Sequence, residues 1–448
     1  MDFASLIPTF GNVVFTVGAF IVALSIIVTV HEYGHYIVGR WSGIKAEVFS
    51  LGFGPVLAAR TDKHGTQWQI AALPLGGYVR FMGDANAASA KAAPEVEGMD
   101  AQTLRQTMHG APLWARTATV AAGPLFNFAL AILVFAALAL WRGVAVEPPT
   151  VAELVDLPPA AMERAELAPG DTIVALNGTP TPDFARFYDA VAEMTPGEPT
   201  VYTVRRDRRE TEVAGPYPFP PVVDAVQPQS AASEVGLQAG DVVVAVEEAP
   251  IRSFRELQDR VAATEGAPLT LEVWRGGETL SFELAPRSMD IPLADGGFET
   301  RWLIGMTGGL AFEAAQRTPG PGEALAEGVD QLGFILQSSL SGLYHMVTGQ
   351  ISSCNLSGPI GIAESSGAAA SQGLENFIWF IALLSAAVGL LNLFPIPVLD
   401  GGHLVFYLYE GITGRPPSDA AMRFLMAVGF ALLIAIMAFA LTNDIVCP

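Results

Sequence analysis

Residues 13–35 read VVFTVGAFIVALSIIVTVHEYGH. Val13 to Val30 carries no Asp, Glu, Lys or Arg and runs without a break into His31-Glu32-Tyr33-Gly34-His35. That run approaches the roughly 20 apolar residues with which a helix crosses a bilayer core. It lacks a basic leader and a small-residue cleavage site, and polar chemistry follows it directly, so it reads as a retained helix, not a signal peptide. His31 and His35 are four residues apart, which on a helix puts both imidazoles on one face, one turn apart, where they can share a metal. Glu32 sits about 100° round from His31 and can reach a water on that metal. Glu and His at the end of a membrane-spanning segment are costly unless they have partners or a function.

The rest of the chain agrees with a membrane protein. Of its 448 residues, 51% are hydrophobic and 15% charged, against about 25% charged in soluble proteins. Thr117 to Trp141, Asn376 to Leu399 and Phe424 to Asn443 are also free of Asp, Glu, Lys and Arg. Four spans are therefore expected. Segment 40–116 holds eight Lys and Arg, the connection 400–423 holds Arg415 and Arg423, and the termini beyond the first and last spans hold none. By the positive-inside rule, 40–116 and 400–423 face the cytoplasm and both termini face out. Segment 142–375 is then exported, with 14 basic and 33 acidic residues. A formal net charge of −21 argues against nucleic acid, which needs a basic patch. Two cysteines, Cys354 and Cys447, are too few for a disulfide framework or a Cys-based zinc module.

The exported segment contains a repeat. Ala168-Pro169-Gly170-Asp171-Thr172-Ile173-Val174-Ala175 recurs 70 residues later as Gln238-Ala239-Gly240-Asp241-Val242-Val243-Val244-Ala245. Phe184, Asp189 and Val191 match Phe254, Asp259 and Val261 at the same offset. Self-similarity at a fixed spacing means two copies of one module. Each copy reads as an Ala-rich helix, a Gly-Asp turn, a strand, a second helix and a final strand. A stiff Pro-rich connection, Pro216-Tyr217-Pro218-Phe219-Pro220-Pro221, joins them. The pattern resembles the PDZ domain in its permuted bacterial form, which implies binding of peptides or C-termini by strand addition. A pair of α/β spacers without a ligand is the other reading. Beyond the copies, Leu325, Val329, Leu332, Ile335, Leu336, Leu340, Leu343 and Met346 recur at helical spacing. They fit an amphipathic helix, either lying on the outer membrane face or packed on the protein.

A hydrolytic zinc site needs three protein ligands and an open position. Asp400 is the carboxylate adjoining the third apolar stretch, in Asn392-Leu393-Phe394-Pro395-Ile396-Pro397-Val398-Leu399-Asp400-Gly401-Gly402-His403. Pro395 and Pro397 must break a helix there and free backbone groups, which at membrane depth are tolerated only when buried or lining a cavity. His403 is the rival ligand.

The His31 to His35 motif, paired with Asn392, Pro395, Pro397 and Leu399-Asp400-Gly401, resembles the site-2 protease family of intramembrane zinc metalloproteases. Gly123-Pro124-Leu125-Phe126-Asn127-Phe128 and Leu356-Ser357-Gly358-Pro359-Ile360 fit it too. The resemblance covers the chain. It implies zinc on His31, His35 and Asp400, Glu32 as general base and acid, and Asn392 contacting the substrate backbone. It also implies that Trp68 to Phe81, read as strand, Gly turn and strand, is a membrane-associated β-hairpin. Gly76, Gly77 and Tyr78 would hold an extended substrate there; a purely structural cytoplasmic hairpin is the alternative.

The expected fold is a polytopic α-helical membrane protein with two tandem PDZ-like domains and that hairpin. Its parts are a first transmembrane helix (1–40), a cytoplasmic or re-entrant hairpin region (41–115), a second transmembrane helix (116–142), two PDZ-like domains (143–216 and 217–290), a region carrying the amphipathic helix (291–375), and third (376–402) and fourth (421–443) transmembrane helices. The resemblance implies an inner-membrane zinc endopeptidase acting on single-span membrane proteins, such as an anti-sigma factor or remnant signal peptides, with its active site near the cytoplasmic side and the PDZ-like pair on the outer side. A catalytically silent PDZ-bearing membrane scaffold is the alternative, which an intact Glu32 disfavours. A transporter would need paired inverted repeats, and none is seen.

Overall fold

The computed structural model describes residues 3–84, 98–162, 165–227, 230–293 and 297–446. It divides into two compact units, residues 1–138 with 321–448, and residues 139–320.

The first unit is helical. Its elements are α1 (Phe3–Trp41), α2 (Leu113–Arg142), α3 (Pro321–Val347), α4 (Pro359–Ser371), α5 (Leu374–Asn392), α6 (Asp400–Thr413) and α7 (Asp419–Val446). Among the described residues, four stretches are long and apolar enough to span a membrane: Val13–Trp41, Leu113–Arg142, Leu374–Asn392 and Ala420–Val446. With the sheet-rich second unit, they define a polytopic membrane protein.

The third span is shorter than its apolar run. The helix stops at Asn392, residues 393–399 are irregular, and Asp400 opens the first turn of the separate helix α6. Asp400 therefore lies beyond the third span, not on it as the expected 376–402 helix had it. The two prolines account for the break, and the glycines after Asp400 for the tightness of the fold-back. A Cβ on Gly401 would lie 2.3 Å from the Leu393 and Phe394 carbonyl oxygens, and one on Gly402 2.3 Å from that of Ile396.

Helix α3 packs on protein along one face. Leu332 and Ile335 join Ala131 and Phe135 of α2 and Ala382 and Ala386 of α5 in one buried cluster. Its Leu325, Val329, Phe334 and Leu340 stay exposed. At the far end of α7, the Asp444 carboxylate accepts from the backbone N–H groups of Gly358 (2.6 Å) and Ile360 (2.9 Å). This caps the otherwise unsatisfied first turn of α4 with a favourable charge. Asn443 Nδ2 donates to the Ser353 carbonyl at 2.7 Å. Cys354 is disulfide-bonded; the other cysteine, Cys447, lies outside the described residues.

Between α1 and α2, strands β1 (Ala46–Thr61) and β2 (Gln67–Phe81) pair antiparallel. Both bend, so the two make four short strand segments. Ser50 pairs with Tyr78 on one side and Gln69 on the other, and Arg60 pairs with Trp68. The two halves of β2 do not form a hairpin with each other across Gly76-Gly77, because residues 46–51 lie between them. The bends fall at glycines: Gly52 and Gly54 have φ of +85° and +84°, and a Cβ on Gly52 would meet the Leu73 carbonyl oxygen at 2.7 Å. The sheet is pinned to α1 through Asp62, which accepts from Trp68 Nε1 (3.0 Å), Tyr36 Oη (3.3 Å) and the backbone N–H groups of His64 and Thr66. Desolvation pushes its carboxyl up, but the hydrogen bonds outweigh it and hold the pKa at about 2.

The second unit shows the repeat in three dimensions. Two four-stranded antiparallel sheets share one order. In the first, Thr172–Leu176 lies between Thr179–Pro180 and Thr200–Arg206, with Arg209–Gly215 outermost; in the second, Val242–Val246, Ala249–Pro250, Leu269–Arg275 and Glu278–Leu284 take the same places. The recurring Gly-Asp has a structural reason. Asp171 and Asp241 are each 1% exposed. Arg206 Nε and Nη2 grip Asp171 at 2.7 and 2.6 Å, and Arg275 grips Asp241 at 2.5 and 2.6 Å. Each aspartate also accepts from a backbone N–H three residues earlier, Ala168 or Gln238. These bidentate, charge-assisted pairs lock the turn to the end of Thr200–Arg206 in the first copy and of Leu269–Arg275 in the second. The chain then returns: Met306–Gly308 pairs with Val223–Val226, and Phe312–Ala314 with Val151–Leu154. Both strands lie beyond residue 290, where the repeat fades from the sequence.

Candidate metal centre and active site

The site lies within the first unit, where α1, α2 and α6 meet. His31 and His35 face one way from α1, their rings 4.8 Å apart between centroids and nearly perpendicular at 84°. Their Nε2 atoms are 3.2 Å apart. Asp400 Oδ2 approaches both, at 3.1 Å from His31 Nε2 and 3.4 Å from His35 Nε2. Ligand atoms of the three residues lie within 4.8 Å of one another, and no other such group occurs among the described residues. Asp400 Oδ2 is buried and completes no well-formed hydrogen bond there. Two imidazole nitrogens and an orphaned carboxylate oxygen converging on one point are the donor set of a zinc site with room for a fourth ligand. His403 is not part of the cluster; its Nδ1 lies 3.2 Å from the Leu399 carbonyl oxygen.

Helix α2 supplies the back wall. His35 Nδ1 donates to the Thr119 carbonyl at 2.8 Å, and Asn127 Nδ2 lies 3.2 Å from His31 Nδ1. Between them, at Gly123, an added Cβ would stand 2.3 Å from His35 Nε2 and 2.9 Å from His31 Cε1. Thr119, Gly123 and Asn127 are spaced by four, so they form one face of α2. Helix α6 is fixed against the start of α2 by Arg116, which forms a two-pronged pair with Glu410 (2.6 and 3.0 Å) and lies 5.2 Å over the Tyr407 ring. That brace sets the helix from which Asp400 projects.

A cavity of about 220 Å³ opens on the cluster, lined by His31, Glu32, His35 and Asp400 together with Gly77, Tyr78 and Asn392. Glu32 faces the Val79 backbone amide. Gly77 lets β2 pass close over it, since a Cβ there would come to 3.3 Å from Glu32 Cγ. Gly76 is not in the lining; it abuts Phe53, whose ring atom Cε2 a Cβ would meet at 2.5 Å. Asn392 Nδ2 donates to its own helix, at the Val388 carbonyl (3.0 Å). The cavity thus brings together the three ligand candidates, Glu32 and Asn392, all expected from the sequence. Thr119, Gly123 and Asn127 carry no such expectation, although Gly123 and Asn127 lie in a motif that fits the family.

A His–His–Asp cluster with an adjacent glutamate, set among membrane-length helices, defines the class as a membrane metalloprotease. The sequence profile of Peptidase family M50 matches residues 19–436, and the chain belongs to that family. Among its relatives, the "Regulator of sigma-E protease RseP" of Escherichia coli is 35% identical over 460 residues, covering 95% of this chain and 97% of that one. The protein of the same name in Salmonella typhimurium is 33% identical over 474 residues, covering 97% and 99%. A protein of Agrobacterium fabrum, named provisionally as a zinc metalloprotease, is 35% identical over 427 residues, covering 95% and 94%.

Proposed function

We propose that this chain is an intramembrane zinc endopeptidase that cuts single-span membrane proteins within or near the bilayer, of the anti-sigma factor or remnant signal peptide type. The observation that carries this is the convergence of His31, His35 and Asp400 beside Glu32 on a cavity bounded by a strand. Zinc held by the three ligands would polarise the scissile carbonyl and lower the pKa of a bound water. Glu32 then takes the proton of the attacking water and returns it to the leaving amine. Among the described residues, 77–81 pair with one strand only, so their other edge can hold an unwound substrate by strand addition, with Gly77 and Tyr78 at the cavity. The Asn392 amide holds the substrate backbone or the developing oxyanion. The exposed Phe53, Val56, Leu57, Leu73 and Leu75 at the bends of the sheet suit contact with lipid.

In this reading the membrane is a bacterial inner membrane, and the distribution of Lys and Arg supports an active site near its cytoplasmic side, with the segment carrying the repeat exported. The paired modules, PDZ-like in this reading, would gate substrates by size or bind their C-termini. A cavity of about 570 Å³ along the Pro-rich connection, with walls from both copies, suits a peptide.

Metal analysis of wild type against Asp400→Ala, alongside a cleavage assay on a transmembrane substrate, tests the core of the reading. Asp400→Ala is expected to lose most of its zinc and all measurable cleavage. Full zinc and full activity in that variant would remove Asp400 from the site. For the gate, replacing residues 145–317 by a flexible linker should release cleavage of untrimmed substrates. The replacement includes the returning strands so that none is left unpaired. Unchanged selectivity would sink the gate.

A further inference from the structure

We propose that Asn127 is a positioning residue for the metal centre, holding the His31 ring through Nδ1. The inference rests on His31 being a metal ligand, as read above.

The two histidines are held in different ways. His35 Nδ1 faces a backbone carbonyl, that of Thr119, which can only accept. That fixes the hydrogen on Nδ1 and leaves Nε2 open for metal. His31 Nδ1 instead faces a side-chain amide, which can donate through Nδ2 or accept through Oδ1. Asn127 is 0% exposed. Its backbone carbonyl accepts from Ser385 Oγ of α5 at 2.9 Å, so the residue is held from both sides. Its Oδ1 is buried without a hydrogen-bond partner among the described residues.

The Asn127 amide lies 3.2 Å from His31 Nδ1, and His31 Nε2 lies 3.1 Å from Asp400 Oδ2. With metal on Nε2, the single hydrogen of the neutral imidazole must lie on Nδ1. The Asn127 amide, with Oδ1 toward Nδ1, accepts that hydrogen, as the Thr119 carbonyl accepts from His35 Nδ1. Partners of this kind fix ring orientation and raise ligand basicity, and losing one typically weakens metal binding by about 10–100-fold.

The test measures zinc affinity of the full-length chain in detergent, by competition with a chelator, for wild type, Asn127→Leu, Asn127→Ser and Asn127→Asp. Leucine offers no acceptor, and the serine hydroxyl is too short to reach Nδ1, so both should bind zinc about 10–100-fold more weakly. Aspartate keeps an acceptor at Nδ1 and should bind zinc about 10–100-fold more tightly than leucine, which has nearly the same shape without the acceptor, a difference that packing alone would not produce. Serine stands in for leucine if the leucine variant fails to fold. Wild-type affinity in Asn127→Leu or Asn127→Ser overturns the proposal, as does an Asn127→Asp variant as weak as they are. Absence of zinc from the wild-type chain would instead overturn the metal reading itself.

Discussion

Gly123→Ala is expected to abolish zinc binding and cleavage together, with zinc affinity falling by more than about 100-fold, beyond the range seen for loss of an outer-shell partner. The added methyl would lie 2.3 Å from His35 Nε2 and 2.9 Å from His31 Cε1, well inside van der Waals contact. Three responses are open, and each damages the site. His35 can swing away and lose the Thr119 carbonyl; His31 can move off Asp400; or α1 and α2 can part. Parting is resisted from the other side of the crossing, where Gly34 of α1 sits so close to α2 that a Cβ there would meet the Ala122 carbonyl oxygen at 2.6 Å. Alanine favours a helix more than glycine does, so the helix itself would not suffer. Zinc content measured by metal analysis, with unfolding followed in the same samples, separates a lost site from a lost fold. A Gly123→Ala chain with full zinc would mean that the helices can part without cost.

How far the sequence reveals this site depends on how local each part is. The pairing of His31 with His35 is legible because both lie on one helical turn. Asp400 is legible because a lone carboxylate follows two prolines at the end of an apolar run. The end of the third helix at Asn392 is harder to place, since residues 393–399 stay apolar after the helix stops. Trp68 to Phe81 reads locally as a strand-turn-strand, with glycines in the middle. The actual partner of both halves is residues 46–51, a pairing set by long-range contacts. In the second unit the Gly-Asp repeat shows at once, but its partners Arg206 and Arg275 sit some 35 residues downstream, at an offset one residue short of the repeat. Asn127 is the extreme case. Its work is done across a helix crossing, and the sequence hints at it only through its spacing of four from Gly123 and the family-like motif that the two share.

Glu32→Gln should keep zinc and lose about 10²–10⁴-fold of the cleavage rate, the usual worth of a positioned general base. Glutamine has nearly the shape of glutamate, so the close pass of Gly77 over the Glu32 side chain stays intact. Neither His31, His35 nor Asp400 depends on Glu32 for its place in the cluster. What glutamine cannot do is take a proton from water and hand it to a leaving amine. The expected pattern is therefore the reverse of that for Gly123→Ala and Asp400→Ala, which lose metal and activity together. Both quantities are read on one purified sample, zinc by metal analysis and cleavage on a transmembrane substrate. Cleavage at the wild-type rate would mean that another group supplies the base. Loss of zinc along with activity would make Glu32 a ligand. Only zinc retained with cleavage lost assigns it the proton, and that result also removes the silent scaffold, since a protein that merely bound its partners would have no rate to lose.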